Sequence, residues 1–232
     1  MANKTTTTAT DSVAQAEKSV GEILSKTDKF LEKHLKTVVT VVVAVFVIIV
    51  GYFAFRHLYL VPKENEAQAA LYPAQSAFEY QQWALALNGD SIGFAGFLEI
   101  ADEYSGTASG NLAKAYAGLC QAHLGDYTAA LENLTDYDAT DQLFAAQVLA
   151  AIGDCYVSLE KPTEGINYFQ QAAKKANNKA LSPVFLNKAA DIYGNLGDNA
   201  KALKIYTQIQ AEYPEFATAN AIEKYIERAK QK

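Results

Sequence analysis

Basic residues are nearly absent from the middle of this chain. Between Glu64 and Glu160 a single lysine, Lys114, stands among fourteen acidic residues. Nucleic acid is held through basic stripes that neutralise phosphates, so this stretch argues against a nucleic-acid partner. From Lys161 to Lys232 the balance reverses, with eleven basic residues against seven acidic. The acidic half has two readings, a solvated surface that aids solubility or a docking face for a basic partner. Proline is also scarce, five in 232 residues, while Ala and Tyr are frequent, and this favours helices. Chemistry-bearing residues are few: two cysteines, Cys120 and Cys155, and three histidines, His34, His57 and His123. Cys120 and His123 share a helix face, but a lone C-x-x-H lacks two of the ligands of a structural zinc site. The chain has no Walker loop and no Rossmann glycine pattern. With no catalytic constellation, it reads as a non-enzyme without cofactor or metal.

One long apolar run is present. Residues Thr37 to Phe55 read TVVTVVVAVFVIIVGYFAF without a charge. At about 1.5 Å per residue they make a helix of roughly 28 Å, the thickness of a bilayer's hydrocarbon core. The run is too long and too far from the start for a cleaved signal peptide, and no Ala-x-Ala site follows it. A retained single-pass anchor over 37–58 is therefore expected. Lys18, Lys26, Lys29, Lys33 and Lys36 precede it, and only Arg56 and Lys63 lie close behind. By the positive-inside rule the front faces the cytoplasm and the back lies outside. Tyr52, Phe53, Phe55 and Tyr59 suit the outer interface. Thr40, Ala44, Val47, Gly51 and Ala54 fall on one stripe of the anchor, either a packing face for another membrane helix or a chance pattern. Ahead of the anchor, residues 1–10 read as a disordered polar tail. Residues 11–36 read as an amphipathic helix, lying on the inner leaflet or forming a stalk.

Residues 62–232 carry a repeat. Each unit reads as two helices, and the second holds a small residue with a bulky one four later: Gly93/Phe97, Ala130/Leu134, Gly165/Phe169 and Ala202/Tyr206. Twelve residues earlier, the first helices carry Gln81, Gly118, Gly153 and Ala190, three of them small enough for close helix approach. The turns Leu124-Gly125-Asp126-Tyr127 and Leu196-Gly197-Asp198 agree, and the last unit closes with Tyr213-Pro214. Beyond it, Ile222, Tyr225, Ile226 and Ala229 form one apolar stripe, the mark of a helix that closes the open end of an array. Cys120 and Cys155 occupy equivalent places in adjacent units. Stacked helices lie on the order of 10 Å apart, beyond the reach of a disulfide, so both thiols are expected free.

These landmarks resemble the tetratricopeptide repeat, most fully in the second and fourth units. The resemblance implies an all-α fold: one N-terminal transmembrane helix, then a helical solenoid of about four repeats with a capping helix. It also implies that the first helix of each unit lines an inner, partner-binding face. Carried onto this chain, that face holds Phe78, Gln82, Leu85, Leu112, Leu119 and His123 in the first two units. In the last two it holds Gln147, Asp154, Ser158, Asn187, Asp191 and Asn195. The front half is apolar and the rear half polar. A basic clamp for a partner's carboxylates is disfavoured, because the matching positions carry Asp and Asn. The apolar half suits extended, non-native or helical segments, unless Leu112 and Leu119 serve instead to pack neighbouring repeats.

The whole layout resembles the YfgM-like ancillary subunits of the SecYEG translocon. The segments Ala86-Leu87-Asn88-Gly89-Asp90, Gly93-Phe94-Ala95-Gly96-Phe97-Leu98, Asn111 to Leu119 and Ala151-Ile152-Gly153-Asp154 look like the Bacteroidota branch of that family. The resemblance implies an inner-membrane protein with a cytoplasmic N-terminus and a periplasmic repeat domain. Its implied partners are SecYEG, a PpiD-like membrane-anchored chaperone and newly exported polypeptides. The alternative is an envelope scaffold or adaptor that assembles a membrane or secretion complex and holds no unfolded client.

Overall fold

The computed structural model describes residues 35–37, 39–90 and 93–231. The polar tail expected over 1–10 and the helix expected over 11–36 lie outside the described residues, except for helical Leu35 and Lys36. Two compact units divide between Tyr59 and Leu60.

Within the first unit, helix α1 covers residues 39–55 and leads into a π-helical segment, Arg56–Leu60, whose last residue begins the second unit. The valines and aromatics of α1 are exposed all round; Ile48 is 69% and Phe46 63% accessible. A helix apolar on every side has the pattern of a membrane span. Among the described residues it is the one helix long and apolar enough to cross a membrane. Thr40 donates its hydroxyl to the Lys36 carbonyl at 2.8 Å, so its polar group is satisfied within its own helix. Phe55 and Tyr59 stack at 5.2 Å, and Tyr52 meets Phe53 edge-on at 5.8 Å.

The second unit is a stack of helix pairs. Helices α5 (Ala108–Leu124) and α6 (Tyr127–Thr135) form one pair, α7 (Gln142–Ser158) and α8 (Pro162–Ala176) the next, and α9 (Ser182–Asn195) and α10 (Asn199–Glu212) the last. In each pair a small residue brings the backbones together. A Cβ placed on Gly118 would lie 2.6 Å from Leu134 Cγ, and one on Gly165 would lie 2.8 Å from the Gly153 carbonyl. The bulky partners Leu134, Phe169 and Tyr206 are at most 4% exposed, each stabilising its pair by about 1.5–3 kcal/mol of apolar burial.

The first pair departs from this plan. Helix α2 (Val61–Glu79) carries Pro62 in its first turn, where no N–H partner is lost. Its companion is split into α3 (Trp83–Asn88) and α4 (Phe97–Glu103) by a short antiparallel pairing of β1 (Gly89–Asp90) with β2 (Phe94–Ala95). The turns between paired helices fix the register. Gln82, Asp126, Lys161 and Asp198 each donate an N–H at 2.9 Å to the carbonyl five residues back, at Ala77, Gln121, Tyr156 and Tyr193. The residue before each is left-handed: Gln81 (φ 59°), Gly125 (87°), Glu160 (59°) and Gly197 (80°).

Gln81 is therefore the equivalent of Gly125 and Gly197, a turn residue and not a first-helix position. The small residues of the first unit are Ala74 and Ala86, both 0% exposed, in place of Gln81 and Gly93. Gly93 lies in a turn. Residues 89–95 are a seven-residue insertion, after which Phe97, 0% exposed, resumes the bulky position. With this register four units are present.

The rear end of the stack is closed. Helices α11 (Pro214–Ala219) and α12 (Ile222–Lys230) follow α10, and α12 buries Ile222 and Ile226 while turning its charged residues outward. At the front, the Glu64 carboxylate accepts from the Ala108 N–H at 2.7 Å and the Ser109 N–H at 3.2 Å, tying the first turn of α2 to the N-terminus of α5. Cys120 and Cys155 are free and buried in different apolar clusters. Burial pushes the Cys120 thiol up to about 12 and the Cys155 thiol, beside Asp154, to about 11.

Candidate functional site

The small residues Ala74, Gly118, Gly153 and Ala190 mark the side of each first helix that meets its partner helix. The side turned away is read one and five residues later. It carries Gln75, Leu119, Asp154 and Asp191, then Glu79, His123, Ser158 and Asn195. None of these eight is buried, so they form an open face running through all four units.

At the front of this face the apolar residues are engaged. Phe78 is half-buried and meets Trp83 at 4.9 Å, Tyr116 at 5.0 Å and Phe97 at 6.2 Å, all edge-on. Phe97 and Tyr116 stack at 5.0 Å. Leu85, on α3, and Leu112 pack against the same cluster, and Leu119 packs against the next one. Trp83 lies flat on His123, with ring centroids 4.0 Å apart and planes 6° apart, and covers part of the open face. His123 is thus directed at an aromatic ring while Cys120 is buried, so the two do not converge. Gln82 is exposed in the turn before α3 and is not on the first helix.

At the rear the open face is polar and organised by hydrogen bonds. Asp154 is ion-paired with Lys188 at 2.7 Å. Lys114, the other lysine on a first helix of the complete pairs, is likewise paired, with Asp136. Asn187 donates its amide to Asp191 at 3.1 Å, and Tyr206 donates its hydroxyl to the other Asp191 oxygen at 2.6 Å. Burial, and then the bond to Asp191, push the Tyr206 hydroxyl well above its ordinary pKa. Tyr206 stacks on Tyr225 of α12 at 5.4 Å. These residues border a cavity of about 320 Å³ lined by Asp191, Asn195, Asn199, Tyr206, Tyr225 and Arg228.

The structure thus divides the sequence-derived face into an apolar and a polar part. Phe78, Leu85 and Leu112 come together in a packed cluster, with Leu119 beside it; Asn187 and Asp191 are joined in one polar group with Tyr206, and Asp154 is held separately by Lys188. Sequence reasoning missed Trp83, Lys188, Tyr206 and Arg228. Tyr206 carried a signal. It alone of the four bulky positions has a hydroxyl, and a buried hydroxyl requires a partner.

On α1 the stripe Thr40, Ala44, Val47, Gly51 and Ala54 is exposed throughout, and a Cβ on Gly51 would meet nothing within 4 Å.

Two tetratricopeptide-repeat family models match the chain, over residues 146–178 and 188–215. The first covers most of α7 and α8, and the second runs from the middle of α9 into α11. They fall on the third and fourth units, the third despite Glu160 in its left-handed turn position. Comparison with curated proteins gives no match. Tetratricopeptide repeats are thus present in the rear half of the helical stack, and such repeats generally mediate protein–protein interaction and generally serve as non-enzymatic scaffolds.

Proposed function

We propose that this protein is a membrane-anchored ancillary subunit of the SecYEG translocon that holds newly exported polypeptides on the open face of its repeats. The anchor is α1, with the N-terminus in the cytoplasm and the repeats on the periplasmic side of the inner membrane. The single observation that carries the reading is the order of parts: a long apolar helix before a helical stack with tetratricopeptide repeats, closed at its rear end. The open face along the first helices is the proposed surface for partners. Tethering confines that surface to the membrane, where high local concentration compensates for weak binding. The proposed contact residues are Leu112, Leu119, Asp154, Asn187 and Asp191, with Phe78 and Leu85 supporting the front of the face. The stripe Thr40, Ala44, Val47, Gly51 and Ala54 is proposed to pack on a translocon helix. A PpiD-like membrane-anchored chaperone is the proposed companion.

The second reading is an envelope scaffold that binds one folded partner. It is favoured by one observation: the apolar front residues are used in packing, so the accessible rear is polar, the character of a specific interface. Photo-crosslinkers at Ser158 and Leu119 in intact cells separate the two. The translocon reading expects translocon subunits and several exported proteins at these positions and far fewer products at Glu132, an exposed residue of α6. Capture of one folded protein alone would establish the scaffold instead.

A further inference from the structure

The cavity between the fourth unit and α12 has walls of opposite charge that do not neutralise one another. Asp191 and Arg228 both line it, with no ion pair between them, and Arg228 makes no hydrogen bond or ion pair among the described residues. The previous unit differs. There the equivalent carboxylate, Asp154, is matched by Lys188 at 2.7 Å. Asp191 receives only neutral donors, the Tyr206 hydroxyl and the Asn187 amide. A carboxylate has about four acceptor sites, so capacity is left over. Beside it, the Asn187 side-chain oxygen is buried without a partner among the described residues.

The required ligand follows from these walls. A basic side chain would meet Arg228, and an acidic one would meet Asp191. A neutral group carrying an N–H donor and a carbonyl acceptor satisfies both, and the peptide unit is such a group. The cavity, about 320 Å³ and open to solvent, has room for a short extended stretch. The stacked rings of Tyr206 and Tyr225 supply an apolar floor.

We propose that this cavity clamps the main chain of an extended polypeptide. Asp191 accepts its N–H groups, and Arg228 donates to its carbonyl. This rests on the reading that the open face holds polypeptide, and it explains how unrelated sequences are held. A free amino acid, with an ammonium and a carboxylate, shares the donor–acceptor chemistry.

The test uses the full chain in detergent micelles and a fluorescein-labelled, unstructured Ser/Ala/Gly peptide with blocked ends, followed by anisotropy. The peptide is expected to bind, and its N-methylated counterpart, which lacks N–H donors, to bind about tenfold more weakly or worse. Arg228→Gln and Asp191→Asn are each expected to weaken the parent peptide about tenfold. Arg228 is exposed, so its variant keeps the fold; circular dichroism melts verify both. Millimolar free alanine is expected not to compete. No binding by wild type, equal binding of the N-methylated peptide, unaltered binding by Arg228→Gln, or displacement by alanine would each overturn the clamp. The wider reading is judged separately. If Ser158 crosslinks to exported proteins are unchanged by Arg228→Gln, the clamp fails and the proposed function stands. If wild type gives no such crosslinks, the proposed function fails.

Discussion

The two halves of the repeat stack use the same scaffold differently. In the front half the open face is built from rings and leucines, and most of them are turned against one another. In the rear half it is built from carboxylates, amides and a lysine held by hydrogen bonds. The front half has a reason for its greed. Its first unit has a broken second helix, and Phe78, Trp83, Phe97 and Tyr116 join the pieces α3 and α4 to α2 and α5. The rear pairs are regular and do not need such cement, so their face keeps polar side chains that bond to one another. Apolar composition on a repeat face can thus serve packing when a neighbouring element is irregular.

The comparison can be broken first at Phe78. Phe78→Ala is expected to destabilise the repeat domain by about 3–5 kcal/mol, through lost burial and three ring contacts, read as a fall in the thermal or urea midpoint. Unchanged stability with lost partner recovery would make Phe78 a contact residue and remove the distinction. The shared scaffold is sharpened next by one glycine from each half. Gly118→Ala and Gly165→Ala are each expected to cost about 1–3 kcal/mol, because the new methyl meets Leu134 in one case and the Gly153 carbonyl in the other. A smaller change of opposite sign is expected at the turns. Gln81→Gly and Glu160→Gly relieve a left-handed residue and should each raise stability by about 0.5–1 kcal/mol, since a side chain there costs more than glycine's added freedom. The smallest effect belongs to the rear polar residues. Asp154→Ala removes a largely exposed ion pair and should cost less than about 1 kcal/mol in urea unfolding.

Much of this fold was legible because its landmarks are short-range. The left-handed glycines at Gly125 and Gly197, the capping Asp126 and Asp198, and the close small residues Gly118 and Gly153 act within one helix pair, and each leaves a fixed spacing in the sequence. The apolar run of α1 was legible for the same reason. The insertion at 89–95 was not, and the cause is geometric. Seven residues are close to two helical turns, so a register displaced by seven presents the same face. Gly93 and Phe97 kept the small–bulky spacing of four while belonging to a turn and a new helix. Gln82 and Leu85 entered the face through the same displacement, whereas Phe78 fits either register. The rear polar face was only partly legible. Asp154, Asn187 and Asp191 lie at regular positions on their helices, but Arg228 reaches the cavity from α12, outside the repeat period, and no spacing connects it to Asp191.

One scan tests the central claim, that the open face takes polypeptide chiefly at its rear. A photo-crosslinking residue is placed in turn at the four equivalent positions Glu79, His123, Ser158 and Asn195, with Glu132 as the reference on a second helix. The account predicts that capture of exported polypeptide rises along the stack and is highest at Ser158 and Asn195. Highest capture at Glu79 and His123, or capture no greater than at Glu132, would contradict it.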